Sequence, residues 1–281
     1  MKKSFLLLLF ALPFFTAKAE IQMTYRDIPY VSVTSDSFNA EYHVLDVYTP
    51  RVKNTSTEVI VFIHGGKWKM GSKDMFNYIG MNFAAKGKTA VLINYRLSPD
   101  ATYDQMTMDC AKAVKWVSSQ IEYYGGDKNK IYLYGHSSGG HLAALLSTNN
   151  RFFDSLGIQN PVKGCILIDA FGMNMYNYLK SARPDDEWMF NVFTKDEQKW
   201  KDASPALFIT DKSPKFLLFL GEKTRNIVYH DVKNFSELLD KKGIPTELIV
   251  MDNKSHMEMV GQMIDYRNPI FDRCIEFMKS D

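Results

Sequence analysis

Two stretches of this chain, "KGCILIDAFG" and "PKFLLFLG", are apolar at consecutive positions rather than at alternate ones. A strand that is hydrophobic on both faces has to be covered on both, which is the condition of a parallel sheet flanked by helices. "STEVIVFIHGG", "KTAVLINYRLSP", "NKIYLYG" and "TELIVMD" read as further strands. The segments between them carry a different period. In "YDQMTMDCAKAVKWVSSQIEYYGG", Met106, Cys110, Val114, Val117 and Ile121 recur at steps of three and four, and Gly125-Gly126 closes the run. That spacing sets them on one face of a helix. "FNYIGMNFAAKG", "SGGHLAALLST", "IVYHDVKNFSELLDKKG" and "IFDRCIEFMKS" read as helices too. The alternation predicts an α/β fold with a mostly parallel central sheet and helices on both faces.

The ends and the interruptions of this pattern fix the domain plan. "MKKSFLLLLFALPFFTAKAE" has two lysines, an apolar run over residues 5–15 and small residues at Ala17 and Ala19. The run is shorter than the ~20 residues that span a bilayer. The layout predicts a signal peptide over residues 1–19, cleaved after Ala19, and an exported protein, periplasmic or secreted, with no stable membrane anchor. Residues 20–281 contain no repeat or linker and are expected to form one domain. Within it, residues 173–205 are rich in aromatics and charges and lack strand periodicity, as expected of a cap-like insertion over one end of the sheet. Trp188, Phe190, Phe193 and Trp200 there are candidates for core packing or for lining a pocket. Loss of Lys2, Lys3 and Lys18 with the leader brings the chain close to neutrality, which gives no electrostatic case for nucleic acid. Cys110, Cys165 and Cys274 sit among apolar residues at spacings that suggest no metal site. They are expected to be buried thiols, although export would permit one disulfide.

"YLYGHSSGGHLAALL" offers G-x-S-x-G in one register only: Gly135, His136, Ser137, Ser138, Gly139. It joins a predicted strand to a predicted helix, the context in which a serine occupies a strained turn with its hydroxyl clear of the sheet. Acyl transfer also needs hydrogen-bond donors for the oxyanion. Gly65 and Gly66, in "FIHGGKW" after an earlier strand, can turn backbone N–H groups inward, and the N–H of Ser138 is the third candidate. The base should follow the last strand. Of six histidines only His256, in "MDNKSHMEM", does so. His64 and His136 are expected to shape their loops, and His141 to be packed on the helix.

These motifs, with "NYRLSP", "GGDKNKIYLYGHSSGGHLAALL", "ASP" before "PKFLLFLGEK", and "LDVYTP" at 45–50, resemble the esterase branch of the α/β-hydrolase superfamily. That branch contains hormone-sensitive-lipase-like, feruloyl/acetyl-esterase-like and arylformamidase-like enzymes. The resemblance covers about residues 25–280. It implies a serine hydrolase for carboxylic esters, without cofactor, acting on short-chain acyl esters such as acetyl or feruloyl esters of carbohydrates. An arylformamidase-like amide hydrolase is the alternative. The sequence departs from the family at the acid. The resemblance implies an Asp three residues beyond Gly221, where this chain has Thr224. Glu222 on the same loop is the expected substitute, with Asp169 and Asp252 as alternatives. Without a substitute, the chain would be a catalytically impaired hydrolase fold that binds a ligand.

Overall fold

The structure, a computed structural model, describes residues 22–35, 37–51, 56–181 and 184–279. The expected leader, residues 1–19, lies outside these residues. The strands are β1 (Met23–Pro29), β2 (Val44–Thr49), β3 (Thr57–Ile63), β4 (Thr89–Ile93), β5 (Gly126–His136), β6 (Val162–Ile168), β7 (Lys215–Gly221) and β8 (Thr246–Met251). They form one sheet in the order β1-β2-β4-β3-β5-β6-β7-β8. β2 runs antiparallel to both of its neighbours, and every other pairing is parallel. The helices are α1 (Asn77–Ala85), α2 (Tyr103–Gln120), α3 (Ser138–Thr148), α4 (Arg151–Ser155), α5 (Met175–Lys180), α6 (Phe190–Phe193), α7 (Glu197–Asp202), α8 (Asn226–Lys241), α9 (His256–Gly261) and α10 (Pro269–Lys279). None of the described helices is long and apolar enough to cross a membrane.

The consecutive apolar runs are explained by the register. Val91, Val61, Leu133, Cys165 and Phe216 lie side by side across β4, β3, β5, β6 and β7. All five belong to the core under α2, α3 and α8. The next row, Leu92, Phe62, Tyr134, Ile166 and Leu217, faces the other way. It packs with Phe83 of α1, Met259 of α9 and Phe271 and Cys274 of α10. Removing one such side chain, as in Leu133→Ala, costs about 2–5 kcal/mol, because close-packed neighbours collapse only partly into the void. On α2, Met106, Cys110, Val114 and Val117 are buried, as their spacing predicts, and Gly87 and Gly125 end their segments at φ 80° and 86°. Cys110, Cys165 and Cys274 are three separate buried thiols.

Between β6 and β7, the described residues of 175–207 fold into short helical segments: α5, a 3-10 turn at Pro184–Met189, α6, α7 and a second 3-10 turn at Pro205–Leu207. This is the stretch in which strand periodicity fails. Phe193 and Trp200 are buried in the core, whereas Trp188 is only partly covered. The sequence reading missed β1, α4 and α9. The parallel strands all end at one edge of the sheet, so the loops after β3, β5, β6, β7 and β8 come together there, the edge where open α/β sheets place their ligands.

Candidate active site

Ser137 stands between β5 and α3 with φ 54° and ψ −122°. A non-glycine residue in that region costs on the order of 1–3 kcal/mol, and it is held there from both sides. Its N–H donates to the carbonyl of Ile168 at 3.1 Å, and its carbonyl accepts from the N–H of His141 at 3.2 Å. The flanking glycines are sterically required. A Cβ on Gly139 would lie 2.1 Å from the carbonyl oxygen of Ile63, and one on Gly135 would lie 2.5 Å from that of Gly139. The turn therefore brings α3 onto the end of β3 closely enough to leave the Ser137 hydroxyl facing the loops above.

His256 is the first residue of α9, a helix that the Ser255–Glu258 capping box starts at this point. Its Nε2 lies 3.0 Å from the Oγ of Ser137. Its Nδ1 lies 3.1 Å from the Oδ2 of Asp169. A carboxylate only accepts, so Nδ1 carries the proton, and Nε2 is left to accept from the serine hydroxyl. Asp169 directly follows β6, at φ 41°, and is fully buried. Its second oxygen, Oδ1, accepts from the N–H of Gly221 at 2.7 Å.

The preference for Glu222 is therefore corrected by the geometry: Asp169, one of the alternatives, faces the imidazole. Glu222 is exposed, and its Oε2 accepts from the N–H of Asn253 at 2.7 Å. The reason lies in the backbone. A Cβ on Gly221 would be 2.4 Å from the carbonyl oxygen of Lys254, so the two loops are pressed together at that point. The N–H of Glu222 then donates to Met251 and that of Lys223 to Lys254, which holds the Glu222 side chain at the surface. Asp252 is exposed on the turn after β8. Thr224 is buried, and its Oγ1 has no hydrogen-bond partner among the described residues.

Gly65, Gly66 and Ser138 all line the cavity that Ser137 opens into. Among the described residues, none of their N–H groups donates to a carbonyl. Gly66 has φ 133°, and a Cβ there would sit 1.9 Å from the Met70 carbonyl oxygen. Lys67 and Trp68 follow at φ 54° and 57°. Three contacts hold this strained loop. The Tyr95 hydroxyl donates to the His64 carbonyl at 2.7 Å, and the N–H of Ser98 donates to the Trp68 carbonyl at 2.8 Å. The third is the indole Nε1–H of Trp68, which donates to Nδ1 of His141 at 3.3 Å. "NYRLSP" thus acts as a support for the glycine loop, and it is anchored in turn by the paired bonds from Arg96 to Asp109 on α2 at 2.7 and 2.8 Å.

His141 accepts from Trp68 at Nδ1, so its Nε2 carries the proton and donates to the Ala203 carbonyl at 2.7 Å. One buried ring thereby joins the glycine loop, the helix of Ser137 and the segment between β6 and β7. His136 packs against His256, ring centroids 4.8 Å apart, and its Nε2 donates to the His256 carbonyl at 3.2 Å. Burial pushes His64, His136 and His141 down to about 4, so all three are neutral near pH 7; repulsion from His256 adds to the shift at His136. Asp231 of α8 also went unnoticed in the sequence. Its Oδ2 accepts from the N–H groups of Gly172 and Met173 at 2.7 and 2.9 Å, clamping the loop that begins just after Asp169. Burial raises its carboxyl above the ordinary range despite these bonds.

The cavity above Ser137 has a volume of about 590 Å³. That is within the range of small-molecule sites, roughly 300–1,000 Å³. Its walls are mostly apolar and include Trp68, Phe76 and Phe171. Trp188 and Met189, from the stretch expected to cap the sheet, complete them.

Sheet order, elbow and loops together define an α/β-hydrolase fold. Among solved structures, a carbohydrate esterase from gut microbiota superposes with a TM-score of 0.78 at 20% identity, over 94% of this chain and 97% of that one. Esterase B from Lactobacillus rhamnosus superposes with a TM-score of 0.75 at 18% identity, over 93% and 85%. The chain belongs to the BD-FAE family, which it matches over residues 45–239. It is 24% identical over 254 residues to the probable isoprenylcysteine alpha-carbonyl methylesterase ICMEL2 of Arabidopsis thaliana, which covers 84% of this chain and 60% of that protein. It is 31% identical over 151 residues to the kynurenine formamidase of Danio rerio, over 53% of this chain and 47% of that one. The chain spans about half to three fifths of the length of the curated relatives it matches.

Proposed function

We propose that the protein is a serine hydrolase of carboxylic esters that works through an acyl-enzyme intermediate. The observation that carries this reading is the line Asp169–His256–Ser137, bonded at 3.1 and 3.0 Å, with the serine on a strained elbow. Ser137 Oγ attacks the ester carbonyl while His256 Nε2 takes its proton. The N–H groups of Gly65, Gly66 and Ser138 receive the oxyanion. His256 then passes the proton to the departing alkoxide, and a water molecule activated the same way releases the acid and restores Ser137. Asp169 holds the imidazole in the tautomer that can accept and stabilises its cation. A buried acid in contact with the imidazole supports this reading over the impaired, ligand-binding alternative, which rested on Thr224.

Short acyl groups on carbohydrates fit the apolar cavity, the fold neighbour described as a carbohydrate esterase and the export expected from the leader. The kynurenine formamidase similarity favours a second reading, hydrolysis of N-formyl aromatic amides. Export, periplasmic or secreted, remains part of the proposal. The test is hydrolysis of p-nitrophenyl acetate and butyrate by the wild type and by Ser137→Ala, with labelling by a fluorophosphonate probe. Loss of both turnover and labelling in the variant supports the mechanism, and retained turnover removes Ser137 from it. Comparing acetylated xylan, feruloyl esters and N-formylkynurenine on the wild type separates the substrate classes.

A further inference from the structure

We propose that the mouth of the cavity is a subsite for a carboxylate carried by the substrate, away from the bond that is cleaved. This rests on the ester-hydrolase reading and narrows it. Among the described residues, the cavity wall carries three cationic side chains, Lys67, Lys69 and Arg225, and one acidic side chain, Asp186. The chain as a whole holds 34 basic and 32 acidic residues, so this excess is local. Lys67 and Arg225 are exposed and form no ion pair among the described residues. The Lys69 ammonium stands 5.0 Å from the ring centre of Trp188, which fixes it without neutralising it.

Arg225 has no structural reason to be cationic. It occupies the N-cap of α8, its side chain makes no capping bond, and the first turn of the helix holds no acidic residue. A positive charge at that end of a helix opposes the macrodipole. Arg225, Ile227 and Val228 all line the cavity, so the positive helix end adds to the potential of the three side chains there. Apolar walls lower the local dielectric and focus that potential. The planar guanidinium matches a carboxylate in paired hydrogen bonds, and the apolar walls suit the body between the carboxylate and the ester. The preferred substrate is therefore an ester with one apolar half that bears a carboxylate.

The experiment compares two pairs of esters. In the first the charge is on the leaving group: 4-acetoxybenzoate against its methyl ester. In the second it is on the acyl group: mono-p-nitrophenyl glutarate against p-nitrophenyl pentanoate. Each kcat/KM is divided by the rate of the same ester with hydroxide. In at least one pair the anionic member should be favoured by about tenfold at low salt, the scale of one charge-assisted bond. The ratio should fall as ionic strength rises. It should also fall in Arg225→Glu and Lys67→Glu, with melting curves checking that both fold. Ratios at or below one in the wild type, or ratios that neither variant changes, overturn the subsite while leaving the esterase reading intact. Binding of 4-acetoxybenzoate to Ser137→Ala, followed by calorimetry, gives a second readout free of turnover. If the wild type cleaves no ester, the esterase reading falls, and this titration alone decides: salt-sensitive binding that Arg225→Glu removes keeps the subsite, and no binding ends it.

Discussion

Replacing Asp169 by Asn keeps the shape of the side chain and changes which atoms can accept. The carboxylate accepts two bonds, from the Gly221 N–H at 2.7 Å and from His256 Nδ1 at 3.1 Å. The Gly221 donor is fixed in the backbone, so the single amide oxygen of Asn has to face it. The amide NH₂ then points at Nδ1, which must become an acceptor, and the ring proton moves to Nε2. That proton is aimed at the Ser137 oxygen 3.0 Å away, so the ring no longer serves as a base. A wrong tautomer of this kind costs about 10⁴ in kcat, or ~5.5 kcal/mol at 1.36 kcal/mol per decade. Glu222→Gln changes an exposed residue that bonds only the Asn253 N–H, and kcat/KM should stay within about twofold of wild type. The assay is kcat/KM for p-nitrophenyl acetate, with denaturation midpoints confirming that both variants fold. An Asp169→Asn enzyme within tenfold of wild type, or a comparable loss in Glu222→Gln, would refute the assignment of the acid.

Three further outcomes follow from the same structure. Gly139→Ala should fail to reach native stability, by at least about 3 kcal/mol in urea unfolding, because its Cβ would sit 2.1 Å from the Ile63 carbonyl oxygen; unchanged stability would show that the elbow can open. Trp68→Phe removes the donor to His141 and leaves a buried acceptor unpaired, so stability should drop by about 1–3 kcal/mol together with kcat on any ester. The neutral, buried His64, His136 and His141 titrate near 4 in the folded state against about 6.5 unfolded. The unfolded chain binds more protons between those values, so stability is complete above about pH 6.5 and declines towards pH 4, by roughly 2 kcal/mol per histidine at pH 5. Urea midpoints that do not change between pH 7.5 and pH 5 would contradict this.

The parallel core was legible because burial on both faces leaves a one-residue periodicity, as in "CILI" and "FLLFL". The elbow and the glycine loop were legible because only glycine permits their close approaches, and Gly139 against Ile63 is a contact that no other residue could make. The acid was not legible. Asp169 and Glu222 follow β6 and β7, which are neighbours in the sheet about 5 Å apart. Both residues thus emerge near the imidazole, and the pairing of the Glu222 N–H with Met251 at the end of β8 and of the Lys223 N–H with Lys254 beyond it holds the Glu222 carboxylate at the surface. α9 was missed although "SHME" carries the S-x-x-E capping signature. β1 was missed because it is an exposed edge strand, bulged between Tyr25 and Ile28, with too little apolar alternation to register.

With the carboxylate supplied from β6, the side chains of the turn between β7 and α8 take no part in orienting the imidazole, yet the turn still opens onto the cavity through Arg225. The side chains at 222, 223 and 225 can therefore vary without touching Asp169, provided the Glu222 and Lys223 N–H groups keep their bonds to Met251 and Lys254. In this architecture substrate preference can diversify at one strand terminus while the chemistry stays anchored at its neighbours.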